Sequence, residues 1–155
     1  MIEIYEASEE DIVRILEIEQ ESISPPWTHG ALLSEIYRDD SFFAVAVGER
    51  KAGLRNPEPG IEDILGFVIL RRAADEGELF QIAVDKAERA RGIANILMTA
   101  ALEYADNNAL NSVYLEVRKG NGAAIALYQK HGFTSVRQRK DYYSSPVEDA
   151  VIMRR

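Results

Sequence analysis

The sequence predicts an α/β (α+β) fold, a mixed sheet with helices on both faces. Three observations point there. The 155 residues suit one domain, 1–155, because domains cluster at roughly 100–150 residues. Residue usage is that of an ordinary globular chain, 46% hydrophobic and 28% charged, which argues against long disorder. Strand-like and helix-like runs follow one another in the order β-α-α-β-β-β-α-β-α-β-β, and such interleaving packs helices onto a sheet.

Residues 2–5 alternate apolar and polar, the two-residue period of a strand. Ser8, followed by Glu9, Glu10 and Asp11, opens a helix, since its hydroxyl can cap free amides and the acids oppose the dipole. Ile12, Ile15, Leu16 and Glu19 share one face of that helix. Ser24, Pro25 and Pro26 break it, and Thr28 caps a short second helix through Leu32, Leu33 and Ile36. Strands are expected at 41–47, 64–71 and 78–84. Between the first two lies a charged stretch, 48–60, holding Pro57 and Pro59, which reads as a long hairpin loop. Residues 92–106 are strongly amphipathic, with Ile93, Ile96, Leu97, Ala100, Ala101 and Tyr104 on one stripe. A strand at 112–117 follows. A helix at 123–130 is then closed by Gly132, the usual left-handed stop. Strands at 133–143 and 149–153 end the chain.

Composition excludes several chemistries. With no cysteine, a disulfide scaffold, a thiolate metal site and a cysteine nucleophile are ruled out. His29 and His131 have no metal-ligand spacing, so no metal is expected. His131 ends a helix, where the dipole favours a cation. The formal charge of -8 argues against nucleic acid as a partner and suits a cationic one. Uninterrupted apolar runs, as in 67–70, are far short of the roughly 20 residues that cross a membrane. Residues 1–10 lack a basic region and an apolar stretch, so no signal peptide is expected and the location is read as cytoplasmic. There is no Walker-type loop, no G-x-G-x-x-G and no G-x-S-x-G elbow.

One segment carries chemistry. Arg89, Ala90, Arg91, Gly92, Ile93 and Ala94 lie between a strand end and a helix start. There a glycine admits close approach, and free helix amides with two arginines can cradle a pyrophosphate. The pattern R-x-x-G-x-A alone also fits an ordinary strand–helix turn with solvated arginines.

Its surroundings are more specific. Leu79-Phe80-Gln81-Ile82-Ala83-Val84-Asp85, then R-A-R-G-I-A and Tyr114-Leu115-Glu116-Val117-Arg118 resemble the GNAT acetyltransferases. So do Asn121, 123–128 ending in Tyr128, Gly132-Phe133, Asp141-Tyr142-Tyr143 and Glu148-Asp149-Ala150. Within that family the likeness is to the bacterial ribosomal-protein-alanine N-acetyltransferases (RimI type), whose first loop Pro26-Trp27-Thr28 also resembles. Arg89 stands where that group often has Gln, and 51–63 has no match.

The resemblance implies a GNAT fold, whose mostly antiparallel sheet splays between its fourth and fifth strands to admit acetyl-CoA as co-substrate. By that likeness, Ile82, Ala83 and Val84 meet the pantetheine and thioester, and a backbone amide there stabilises the oxyanion. Arg89, Ala90, Arg91, Gly92, Ile93, Ala94 and Asn95 hold the pyrophosphate, and Asn121 adds a coenzyme A contact. Glu116 is the general base and Tyr128 the acid that protonates the thiolate. Read without the family, Glu116 also fits a solvent-facing strand position and Tyr128 plain helix packing.

The likeness further implies an N-terminal α-amine acceptor, Ala or Ser of a ribosomal protein, with Trp27, Tyr142 and Tyr143 lining the peptide site. Each of the three equally fits plain packing. An α-amine with pKa about 8 is about 10% neutral at pH 7, whereas lysine, near 10.4, is below about 0.1%. Two other readings stay open: a GNAT enzyme for lysine or a small amine, and a non-catalytic acetyl-CoA-binding module.

Overall fold

The computed structural model describes residues 1–51 and 62–155. Its strands are β1 (Glu3–Glu6), β2 (Ser41–Glu49), β3 (Glu62–Ala73), β4 (Glu76–Val84), β5 (Ser112–Arg118), β6 (Thr134–Tyr143) and β7 (Glu148–Arg154). Among the described residues they form one seven-stranded sheet in the order β1-β2-β3-β4-β5-β7-β6. Every pairing is antiparallel except β4 with β5. The helices are α1 (Ile12–Ser22), α2 (His29–Ile36), α3 (Ile93–Asn107) and α4 (Gly122–Lys130). Both the mixed sheet and the order of elements agree with the sequence reading. Among the described residues, no helix is long and apolar enough to cross a membrane.

Local chemistry fixes the helix ends. The Thr28 hydroxyl accepts from the Ala31 amide at 3.1 Å and starts α2. The Asn121 side chain accepts from the Ala124 amide at 3.2 Å and starts α4. Gly132 stops α4 at φ 91°, a conformation that costs glycine little. The first helix departs from expectation. A 3₁₀ turn, Glu9–Asp11, precedes it, with Ser8 at its N-cap in a capping box with Asp11, and the Ser8 hydroxyl donates to the Asp11 carboxylate at 3.1 Å. That carboxylate in turn accepts from the Ser8 amide at 2.8 Å. His131 departs too. Its Nε2–H donates to Asn95 Oδ1 at 3.0 Å, and burial, Lys130 and Arg155 lower its pKa. A neutral ring therefore ties α4 to the first turn of α3, where a dipole-stabilised cation was expected.

The sheet is covered on both sides. Leu97, Met98, Ala101 and Leu102 of α3 pack with Leu65, Val68, Leu70, Leu115 and Val117 on one face. Ile12, Ile15 and Ile18 of α1 and Leu32 of α2 pack with Phe43, Phe67 and Ile69 on the other. Strand β3 is thus buried on both faces, which explains its unbroken apolar run. Each large side chain buried there contributes about 1.5–3 kcal/mol. The antiparallel pairing of β2 and β3 runs to Glu49 and Glu62, so the two ends meet as a hairpin would require. Most of the expected loop itself, 52–60, lies outside the described residues.

Candidate active site

Strand β4 pairs with β5 only from Glu76 to Leu79, against Ser112 to Leu115. Against β3, Gln81 faces Ile69 and Leu79 faces Leu70, which leaves Phe80 without a partner. This bulge bends β4 where its pairing with β5 ends. Beyond it, Glu116, Val117 and Arg118 pair with β7 alone. A wedge opens between the two strands. The Asp85 amide donates to Leu65 O at 2.8 Å, and peptide groups alternate sides along a strand. Ala83 therefore turns its own groups to β3, while the N–H and C=O of Ile82 and Val84 face the wedge.

The loop after β4 is held by ions. Asp85 Oδ1 accepts from the Ala87 amide at 3.0 Å, and its other oxygen pairs with Arg14 and with Arg50, the latter at 3.5 Å. Burial opposes the Asp85 charge, but these bonds, Arg14 first, hold its pKa below the usual carboxylate range. The chain then passes through Ala90 and Gly92 at φ 65° and 78°. The first bond within α3 runs from the Ile96 amide to Gly92 O at 3.2 Å, so the amides of Ile93, Ala94 and Asn95 have no helical partner. A Cβ built on Gly92 meets nothing within 4 Å, so there is open space before this cradle. Free amides beside the wedge fit the pyrophosphate and pantetheine of a coenzyme A.

The two arginines are not equivalent. Arg91 donates to buried Glu88 at 2.6 Å and to Glu49 O at 3.0 Å, so its charge is spent within the loop. Arg89 is exposed, and its guanidinium meets the Ser22 hydroxyl at 3.4 Å. Asn121 uses its side-chain oxygen as the α4 cap, which leaves its amide donors for a ligand.

Glu116 stands at the mouth of the wedge. Glu78 faces Tyr114 in the parallel register, so Glu78, Tyr114 and Glu116 project to one side of the sheet. Glu116 is half-buried and pairs with Ile152. Hydrogen bonding to Glu116, then burial, raises the Tyr142 pKa. Burial and the Glu116 charge push Tyr143 up to about 12. Tyr128 is also pushed up to about 12, by burial and then by Tyr143. Its ring stands edge-on to Phe133 at 6.0 Å. Neighbour by neighbour, Glu116 is linked through Tyr142 and Tyr143 to Tyr128.

Trp27 closes the other side. Its ring meets Phe80 edge-on at 6.2 Å, and Arg71 lies over both rings, 4.4 Å from the Phe80 centroid and 5.9 Å from that of Trp27. Arg71 is held by buried Glu35, Nε to Oε1 at 2.8 Å. The Trp27 amide donates to buried Glu19 at 2.8 Å, and Gln81 donates to the same oxygen at 3.0 Å.

A model of the acetyltransferase (GNAT) family matches residues 12–133. The chain belongs to this family. It is accordingly an acetyltransferase that takes its acetyl group from acetyl-CoA. The sequence is 35% identical over 148 residues to a [ribosomal protein bS18]-alanine N-acetyltransferase of Haemophilus ducreyi, covering 94% of this chain and 93% of that one. Its fold is similar to the ribosomal-protein-S18-alanine N-acetyltransferase of Escherichia coli, with a TM-score of 0.82 at 27% identity, over 99% of this chain and 92% of that one. Ard1 from Thermoplasma volcanium also gives 0.82, at 29% identity, over 99% and 96%.

Sequence reasoning misses Glu78, Arg71 and Glu35, and it gives Phe80 and Gln81 no role beyond the motif that holds them. Glu19 was placed on the apolar face of its helix, and Glu35 follows Leu32 on the buried face of α2. A carboxylate at an apolar-periodic position is the signal that finds both. Nothing local marks Glu78 or Phe80, because their placement depends on the bulge against β3.

Proposed function

We propose that this GNAT enzyme acetylates the α-amine of a protein N-terminus, Ala or Ser of a ribosomal protein. The observation that carries this reading is the wedge, whose mouth joins Glu116 to Tyr142 and Tyr143, with Trp27 on the far side of Phe80. A peptide terminus entering between aromatic walls places its amine at the carboxylate. The names of the relatives support the same acceptor.

The chemistry is direct transfer. Glu116 takes a proton from the amine, directly or through water. The neutral nitrogen then bonds to the acetyl carbon, the carbon–sulfur bond breaks, and the proton that nitrogen sheds restores the one Tyr128 gives up. The wedge-facing amide of Ile82 or Val84 donates to the oxyanion. Tyr128 gives its proton to the departing sulfur. A phenol near 12 stays protonated at neutral pH, and the burial that disfavours phenolate equally disfavours a thiolate beside it. The amides of Ile93, Ala94 and Asn95, with Arg89, hold the pyrophosphate. Arg91 and Ala83 support this site through the loop and β3.

The test is acetyl transfer with the modified atom mapped by mass spectrometry. The panel holds peptides starting with Ala, Ser or Met, N-terminally blocked copies with an internal lysine, and free small amines. Product only at free Ala or Ser termini is expected. Product on blocked peptides or free amines overturns the acceptor assignment. Glu116→Gln should lower turnover about 10²-fold or more, most severely below neutral pH, and Tyr128→Phe should lower it while acetyl-CoA still binds. Wild-type rates in both variants across pH refute these roles.

A further inference from the structure

The mouth of the wedge carries two carboxylates where the reaction as described uses one. Glu78 and Glu116 project to the same side of the sheet, on strands whose pairing ends one residue beyond Glu78. They are close enough that the charge of Glu116, after partial desolvation, raises the Glu78 pKa, and Arg71 only partly offsets this. Arg71 is already engaged, since buried Glu35 takes its guanidinium in a two-point bond. From β6, Tyr142 senses both Glu116 and Glu78. Thus β4 and β5 bring two carboxylates to one side of the sheet, with the Tyr142 hydroxyl beside them and Arg139 over the Tyr142 ring at 5.5 Å, and Glu78 is exposed.

Like charges held together favour a cation between them. The substrate supplies one: an α-amine with pKa about 8 arrives at pH 7 mostly as ammonium. We propose that Glu78 binds the ammonium of the incoming N-terminus, holding it between its own carboxylate and that of Glu116 until Glu116 takes the proton. The assignment rests on the N-terminal reading above. Glu78 is then an affinity and specificity group, and Glu116 remains the base. One proton leaves the ammonium for Glu116 and from there for solvent; the neutral amine attacks, and the second proton leaves nitrogen as the amide forms, replacing the one that Tyr128 gives to the sulfur. Once the nitrogen is acetylated it carries no charge, so the carboxylate pair no longer holds the product.

The experiment measures binding without turnover. An Ala-starting peptide and its desamino copy are titrated calorimetrically into the protein saturated with coenzyme A. The wild type is expected to prefer the amino peptide about tenfold, the worth of a charge-assisted bond. Glu78→Gln should lose most of that preference, and Glu78→Asp should keep part of it. In steady state the Glu78→Gln loss should fall on the peptide KM, whereas Glu116→Gln loses kcat. An unchanged preference in Glu78→Gln, or a loss confined to kcat, overturns the role of Glu78 and leaves the acceptor assignment intact. A wild type that acetylates no peptide terminus overturns both.

Discussion

Gly66 tests whether the wedge sits where the strand pairing puts it. Gly66 lies in β3 opposite Val84. A Cβ built there falls 2.7 Å from Ala83 O, 3.1 Å from Leu97 Cδ1 and 3.3 Å from Val84 Cα. Two of these contacts are backbone and cannot rotate away, and Leu97 is fully buried. Relieving the first to an ordinary 3.4 Å needs a shift of about 0.7 Å (3.4 − 2.7). Strand β3 is pinned by β2 on its other side, whereas β4 beyond Leu79 has no partner across the wedge. The displacement therefore goes into β4, at the amides expected to meet the thioester. Overpacking costs about 1–3 kcal/mol, offset by the roughly 0.5–1 kcal/mol that alanine gains over glycine in a strand. Gly66→Ala should thus be about 1–2 kcal/mol less stable in urea unfolding followed by Trp27 fluorescence. Misplacement approaching 1 Å costs up to about 10²-fold in rate, so kcat/KM for acetyl-CoA should fall at least about tenfold. Gly77→Ala, in the neighbouring strand β4, is the control. Its Cβ meets only side chains, nearest Leu110 Cδ1 at 3.1 Å, so little loss of stability and no change in acetyl-CoA kinetics are expected. Wild-type kinetics in Gly66→Ala, or equal effects in both variants, would refute the placement of the wedge.

Three further outcomes follow from charges inside the molecule. Glu19 is fully buried and burial raises its pKa, against the bonds from Trp27 and Gln81. For an acid so shifted, stability is complete below the unfolded pKa of about 4.3 and is lost as pH rises through the folded value. Glu19 Oε2 and Gln81 Oε1 have no partner among the described residues, so Glu19→Gln should add about 1 kcal/mol or more at pH 8 and flatten the pH dependence. Equal slopes in urea unfolding at pH 5 and pH 8 would count against it. Asp85 is shifted the other way, so its contribution is present above about pH 3.9 and lost as pH falls through the folded value. Asp85→Asn leaves Arg14 with Glu17, Asp63 and the Ile64 carbonyl and should cost about 1–3 kcal/mol at pH 7, shrinking in acid; an undiminished difference at pH 3 would contradict the ion network. Arg89→Ala should weaken coenzyme A binding less as salt rises, because salt already screens an exposed charge. Arg91→Ala leaves buried Glu88 with the Lys51 amide but without its arginine and should lower stability as well as binding, at all salt concentrations. Interchangeable behaviour of the two arginines in calorimetry would refute the division between them.

That division marks the boundary of what the sequence holds. Features decided within one turn of chain are legible. Thr28 capping α2, Gly132 stopping α4 and the apolar stripes that split the core between two faces all follow from neighbours three or four residues away. The motifs around Glu116 and Tyr128 are legible as well, because their spacing and order are local properties of the chain. What fails to show is whatever a distant partner decides. Arg89 and Arg91 look alike in R-A-R-G, and only buried Glu88 and the Glu49 carbonyl separate a structural staple from a free cation. Ala83 sits between Ile82 and Val84 in one motif, yet the ladder to β3 turns its peptide groups away from the wedge. The bulge at Phe80 needs the register of β3 to exist, and it puts Phe80 and Gln81 toward the same helices, against Trp27 and Glu19 respectively. Strict alternation would have sent one of them to the opposite face. The same step ends the pairing with β5 and leaves Glu78 beside Glu116. One extra residue in β4, invisible in the chain's own pattern, thereby opens the wedge, seats an aromatic wall and gathers two carboxylates at its mouth.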